Sequence, residues 1–438
     1  TQGGSGVDVV TRAPDAALDG ELDSLPPGVR VYGVADPALG AERVEHMIWR
    51  AYRKIWPNRR LDQGAPRTEG ARRARPLRAR PESMERAEIR SSIRTPREML
   101  RTYWAWVDYT RGGRWAQHAA ALALRIVQRG VHQAVITSAP PHMTHDAGRI
   151  VSVATGLPFV MDMRDPWSTQ PWLPEFEASP LWYRRAERHE LACIAQASLV
   201  VANTEPAREA LVAEHPDAQS RIITVMNGTD DNPLPPHRDA GKFLIGYAGT
   251  IYLDRDPQML FRAAARVIAA EKLTPAQFGI GILGRFAAEE RIPMLGMAVQ
   301  EGIGDFATVE PPRPHRAALD FLAGATMLVV FPGNNLLALP AKVFEYIRFD
   351  SWLLAIGEPE SAIARLLRDT TADVVAPNVE ALAAAIRARY REYASGVRPV
   401  RVARDDRFSR AAQARILLDA IARVGESRGG QGTGGTLP

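Results

Sequence analysis

Short β-branched runs alternate with helical patterns along the chain, and the alternation pauses once and starts again. Residues 134–137, 159–161, 199–201 and 222–225 read as strands, with helices predicted around 181–196 and 206–214 between them. After a polar, proline-rich stretch at 230–241, a second series of strands follows at 243–248, 279–283, 327–331, 353–356 and 373–375. Helices are predicted between these at 257–270, 287–301, 315–323, 340–348 and 360–367. Strands alternating with helices build parallel sheets covered on both faces. Two such series around a linker predict two facing, doubly wound α/β domains. The boundaries are placed at 1–235 and 242–405, with a helix at 406–424 and a glycine-rich, disordered tail at 425–438.

Ahead of the first series, residues 7–11 and 29–32 read as strands, 42–56 as an amphipathic helix, and 115–129 as a long helix. The stretch 58–98, rich in Arg, Pro and Glu without periodicity, reads as a loop. At 438 residues, 46% hydrophobic and 24% charged, the chain has a core to bury and is too long for one typical domain. No apolar run approaches the roughly 20 residues of a membrane span, and no basic-then-apolar leader is visible, so a cytoplasmic protein is expected. The one cysteine, Cys193, sits in a helical run and is expected to pack. It cannot form an internal disulfide or a cysteine-built zinc site. The net charge of +5 is local: residues 50–101 hold 16 Lys/Arg against 6 Asp/Glu.

Three motifs carry a resemblance. SAPPHMTHDAGRIVSVATGLPFVMDMRDPW (138–167), FLIGYAGTIYLDRDP (243–257) and LPAKVFEYI (339–347), with the shorter VDYTRGGRW (107–115), stand in the order found in family 4-like glycosyltransferases. The chain resembles that family from about residue 100 to 390. The resemblance implies a GT-B fold, two facing Rossmann-like domains with parallel sheets. It also implies transfer of a hexosyl group from a nucleotide-diphosphate sugar to a glycan or lipid-linked acceptor, with retention by analogy and without a metal. A sugar-nucleotide epimerase of the same fold, and a degenerate homologue that binds a nucleotide sugar or a membrane surface without turnover, are the alternatives.

Holding a leaving diphosphate requires backbone N–H groups and a cation. Lys342, in the first turn after Pro340, and Arg255, a few residues past Gly249 and Thr250, are the candidate diphosphate contacts. Glu345 matches the ribose-binding carboxylate of the family, and Arg285 follows the next strand into the same cleft. The competing readings are a tight strand exit for Gly249 and Thr250, a surface charge for Arg255, and a same-face pair with Lys342 for Glu345. The family's earlier glutamate is replaced by Leu337, near Asn334 and Asn335, and Ser351-Trp352 stands where Gly-x-Pro is usual.

In the first series, Asp162, Arg164 and Asp165 end a buried strand where open α/β sheets place ligands. Asp165 reads as a base or polariser of an acceptor hydroxyl, or else as a cap paired with Arg164. His142 and His145 are expected to flank the cleft and orient the sugar, or to be structural. Their i, i+3 spacing, with no third ligand nearby, argues against a metal. The glycine-rich opening strand expected of such a domain is not visible in TQGGSG, and truncation is the preferred explanation. Finally, Trp49, Tyr52, Trp56, Trp104, Trp106 and Trp115, interleaved with Arg50, Arg53 and Lys54, suit a peripheral surface resting on anionic lipid at the inner face of a membrane. A solvated covering loop is the alternative, and no nucleic-acid motif accompanies the charge.

Overall fold

A computed structural model describes residues 6–13, 25–37, 96–164, 180–229, 232–251, 257–284, 294–331, 336–402 and 406–429. Its strands form three sheets, of two, four and six strands, and every pairing is parallel.

β1 (Val7–Arg12) and β2 (Val29–Val34) form the small sheet, with Val7 opposite Val29. They lie against α1 (Pro96–Ile126), whose Trp115 donates its indole N–H to the carbonyl of Val34 at 3.2 Å. Trp115 is 5% exposed, so this indole is spent on the core and cannot rest on a lipid surface. Residues 42–56 and the side chains of Trp104 and Trp106 lie outside the described residues. α1 begins well before the predicted 115, inside the stretch read as a loop, and runs straight through Gly112 and Gly113. Gly112 marks a close crossing, since a Cβ there would meet Met143 Cε at 3.0 Å.

The four-stranded sheet runs β3 (Val135–Ala139), β4 (Phe159–Met163), β5 (Leu199–Ala202) and β6 (Ile222–Thr224) in sequence order. Between them lie α2 (Thr144–Thr155), α3 (Pro180–Gln196) and α4 (Glu205–Glu214). α2 sits low on the sheet because Gly148 has no side chain: a Cβ would overlap the Phe159 ring and approach Thr137 Cγ2 at 2.5 Å. The inner faces of β4 and β5 pack Phe159, Met161, Met163 and Val200 against Cys193, Ile194 and Leu211.

The six-stranded sheet has the order β12-β11-β10-β7-β8-β9. In chain order its elements are β7 (Phe243–Ala248), α5 (Gln258–Glu271), β8 (Phe278–Leu283), α6 (Met294–Gln300), β9 (Ala307–Glu310) and α7 (His315–Ala323). These are followed by β10 (Met327–Val330), α8 (Lys342–Tyr346), β11 (Trp352–Ile356), α9 (Ala362–Leu367), β12 (Asp373–Val375) and α10 (Val379–Ala394). β8, β10 and β11 are buried along their whole length, as helices on both faces of a parallel sheet require. β9 and α10 add to the elements expected from sequence.

A last helix, α11 (Arg410–Gly429), returns to the four-stranded sheet, where Ala420 packs with Val160, Leu199 and Val201. Residues 425–429 therefore belong to a helix rather than to the predicted tail. The outgoing and returning segments touch: Thr229 bridges Ser409 in parallel, donating to Phe408 O at 2.6 Å and accepting from Arg410 N at 3.0 Å.

Candidate functional site

Strands β7, β8 and β9 succeed one another in one direction across the six-stranded sheet, while β10, β11 and β12 succeed one another in the other. The order reverses between β7 and β10, and the crevice outside the carboxyl ends of strands at such a reversal is where open α/β sheets hold ligands. Three segments meet there: Gly249-Thr250 after β7, Gly284 after β8, and α8, which follows β10.

Lys342 opens α8 and donates from Nζ to the carbonyl of Ala248, the last residue of β7. The same ammonium lies 5.3 Å from the centroid of the Tyr247 ring. A Cβ on Gly249, at φ +132°, would overlap Lys342 Nζ and come 2.5 Å from its Cε. A Cβ on Gly284, at φ +158°, would overlap the Gly249 carbonyl oxygen. Two residues without side chains, each in a backbone region that glycine favours, thus let a cation and two strand exits converge. Tyr346 locks α8 in place: its buried hydroxyl accepts from Ala248 N at 2.8 Å and donates to Ala248 O at 3.2 Å. Burial pushes that phenol up, so it stays protonated. Gly284, Tyr247 and Tyr346 have no role in the sequence reading. The glycine that follows the wholly apolar run FGIGIL is the signal that marks Gly284 as a strand exit.

Glu345, one turn beyond Lys342, is 32% exposed and pairs at 3.0 Å with Nε2 of His315, from the N-terminus of α7. Leu337, which stands where the family's earlier glutamate is expected, packs on the apolar core of the four-stranded sheet. Its carbonyl accepts from Thr204 Oγ1 at 2.6 Å, while the same oxygen caps α4 by accepting from Ala207 N. Leucine at this position anchors one half of the molecule to the other. Arg365 and Glu209 add an ion pair at 2.8 Å across the same divide. Arg255, Arg285, Asn334 and Asn335 lie outside the described residues, as does Asp165.

On the opposite wall, the carboxyl ends of β3 and β4 carry a polar network. Asp162 accepts from Ser138 Oγ at 2.7 Å and from Arg164 Nε at 3.3 Å, and Arg164 reaches Asn227 Oδ1 at 2.6 Å. The two histidines do not join it. His142 and His145 are 2% and 0% exposed, turned inward from the first turns around α2, so neither lines the cleft as expected. His145 Nδ1 pairs with Thr137 Oγ1 at 2.8 Å. Burial, and then the nearby His189, push the His145 imidazole down to about 3, which keeps it neutral. His142 is likewise held well below its ordinary value by burial, then by His145 and His189. Burial pushes the Cys193 thiol up to about 12, so without a bound cation it stays protonated.

No family model matches the chain. It is 29% identical over 254 residues to D-inositol 3-phosphate glycosyltransferase 1 of Catenulispora acidiphila, covering 55% of this chain and 54% of that protein. It is 27% identical over 156 residues to D-inositol 3-phosphate glycosyltransferase of Thermobifida fusca, covering 33% of this chain and 36% of that one. The chain thus spans about half, or less, of the length of the curated relatives it matches. Among solved structures, a glycosyltransferase from Rickettsia africae superposes with a TM-score of 0.50 at 13% identity, over 76% of this chain and 83% of that one. The parallel sheets and switch-point crevice are thus the GT-B fold of that solved glycosyltransferase, and part of the chain is similar in sequence to two named glycosyltransferases.

Proposed function

We propose that the chain transfers a sugar from a nucleotide-diphosphate sugar to a hydroxyl-bearing glycan or lipid-linked acceptor, with retention of configuration. The observation that carries this reading is the Lys342 ammonium set between the glycine exits of β7 and β8 at the switch point. A leaving nucleoside diphosphate develops charge on its terminal phosphate, and a preorganised cation beside small residues stabilises that charge without a metal. On ligand binding Lys342 Nζ exchanges the Ala248 carbonyl for phosphate oxygens. Glu345 then accepts from the ribose hydroxyls, with His315 holding its second oxygen. Arg255 and Arg285, which follow the same two strand exits in sequence, add charge to the diphosphate. On the acceptor side, Asp165 follows the Asp162–Arg164 network and polarises the incoming hydroxyl. The domain division is assigned to the 230–241 linker, and the basic segment 42–101 to a cytoplasmic membrane face.

The test is calorimetry with UDP, GDP and ADP and their sugars, followed by transfer assays on the matching donor. One nucleotide should bind, and Lys342→Ala and Glu345→Ala should each weaken binding and abolish transfer. Full activity in both variants would overturn the donor-site assignment. Product formed without acceptor would instead identify an epimerase. Sedimentation with anionic and neutral vesicles tests the membrane assignment, and equal recovery with both removes it. No helix among the described residues is long and apolar enough to cross a membrane.

A further inference from the structure

Behind the His142–His145 turn the fold assembles a donor set that the spacing of those two histidines does not reveal. Asp146 lies in the first turn of α2, while His189 and Cys193, four residues apart, share one face of α3. Their ligand atoms, a carboxylate oxygen, an imidazole nitrogen and a thiol sulfur, all lie within 4.8 Å of one another. Asp146 Oδ1 and His189 Nε2 are 3.0 Å apart. A tetrahedral zinc ion with bonds of about 2.0–2.3 Å sets its ligands roughly 3.3–3.7 Å apart, so the ion requires only small adjustments of these side chains. The site runs from a buried to a solvent-reached side: Cys193 is fully buried among Met161, Met163 and Ile194, whereas the Asp146 side chain is 29% exposed. The Nε2 of His145, in a side chain with 0% exposure beside Asp146, has no hydrogen-bond partner among the described residues. Arg149, which also donates to Asp146 Oδ1 at 3.2 Å, is partly exposed and able to swing outward. Glu190, next along α3, is occupied by His215 at 3.0 Å and does not compete.

We propose that Asp146, His189 and Cys193 form a zinc-type metal site that clips α2 to α3, with a water in the fourth position. One sulfur, one nitrogen and one oxygen favour Zn²⁺ over the all-oxygen preferences of Mg²⁺ and Ca²⁺. On binding, the Cys193 thiol gives up its proton to solvent and the sulfur lone pair forms the metal bond, so affinity rises with pH. The site lies in the opposite half of the molecule from Lys342, so it stands apart from the proposed transfer reaction.

The test uses the full chain without an affinity tag, stripped with a chelator and titrated with Co²⁺ and then Zn²⁺. The expected result is one Co²⁺ per chain with tetrahedral d–d absorption and a sulfur-to-cobalt charge-transfer band, both bleached by Zn²⁺. Cys193→Ala should lose the charge-transfer band. His189→Gln and Asp146→Asn should bind about tenfold or more weakly, with circular dichroism confirming that each variant is folded. Mg²⁺ should displace nothing. A wild-type chain without d–d absorption at stoichiometric Co²⁺, or one whose Co²⁺ affinity is matched by His189→Gln, would overturn the site. Nucleotide binding measured before and after stripping should not change, so failure here and failure at the donor site are read separately.

Discussion

Gly249→Ala and Gly284→Ala should separate binding from folding at the crevice. Both positions have positive φ, +132° and +158°, which an alanine tolerates at a cost of about 1–3 kcal/mol. Their surroundings differ. A methyl group added at Gly249 meets the far end of the Lys342 side chain, which can move, whereas one added at Gly284 meets the Gly249 carbonyl, which is backbone. Gly284→Ala therefore adds an overpacking cost of about 1–3 kcal/mol, for a total of about 2–6 kcal/mol against a typical stability of about 5–15 kcal/mol. Gly249→Ala should fold with only the conformational cost but displace the ammonium. Losing a charge-assisted hydrogen bond of about 1.5–3 kcal/mol weakens nucleotide binding about ten- to a hundredfold. Guanidinium midpoints followed by tryptophan fluorescence give the first quantity and calorimetry the second. Gly113→Ala, in the middle of α1 with nothing near its Cβ, is the control and should stabilise by about 0.5–1 kcal/mol. A Gly284→Ala chain as stable as the parent, or a Gly249→Ala chain that binds nucleotide as tightly, would contradict the roles given to these two glycines.

Three further outcomes follow from the same geometry. Tyr346→Phe leaves the buried Ala248 N–H without its 2.8 Å partner and should cost about 1–3 kcal/mol, read from the same midpoints. Leu337→Glu forces a carboxylate against the apolar core of the four-stranded sheet and should destabilise by about 1–3 kcal/mol without improving donor affinity; tighter donor binding would contradict the anchoring role. The Glu205 carboxyl is held below its ordinary 4.5 by hydrogen bonds from Arg208 and then Thr224. A lowered carboxylate stabilises above the unfolded value and loses that contribution as pH falls through the folded one. Parent and Glu205→Gln should therefore differ at neutral pH, by no more than about 1 kcal/mol for so exposed a pair, and converge in acid; a constant difference would refute it.

How much of this is legible depends on where the information lies. β7 begins and ends where its apolar run does, because a central strand covered on both faces announces itself by hydrophobicity alone. α1 is legible in the sequence only from 115, whereas in the structure the helix already runs from 96 and passes Met143 at Gly112, where a Cβ would meet Met143 Cε at 3.0 Å. β9 is a partly buried edge of only four residues, ATVE, with too little apolar contrast to be seen. The histidines show a subtler failure. His145, Gly148 and Ser152 form one buried stripe of α2, and the two small residues on it are the sign that this face presses on the sheet. The pairing of Glu345 with His315 is beyond reach, since it arises from two strand connections brought together only by the reversal of strand order.

The side-by-side passage of Thr229 and Ser409 has a mechanical consequence. The chain crosses between its two large sheets once outward, after β6, and once back, before α11, and the two crossings are bonded to each other. A pair of joined cords resists twisting yet bends about the line through both. Any opening of the crevice must therefore bend both crossings together and draw Leu337 from its apolar seat. The same bonded pair also means that cleavage of the linker at 232–241 leaves the halves attached through the return path.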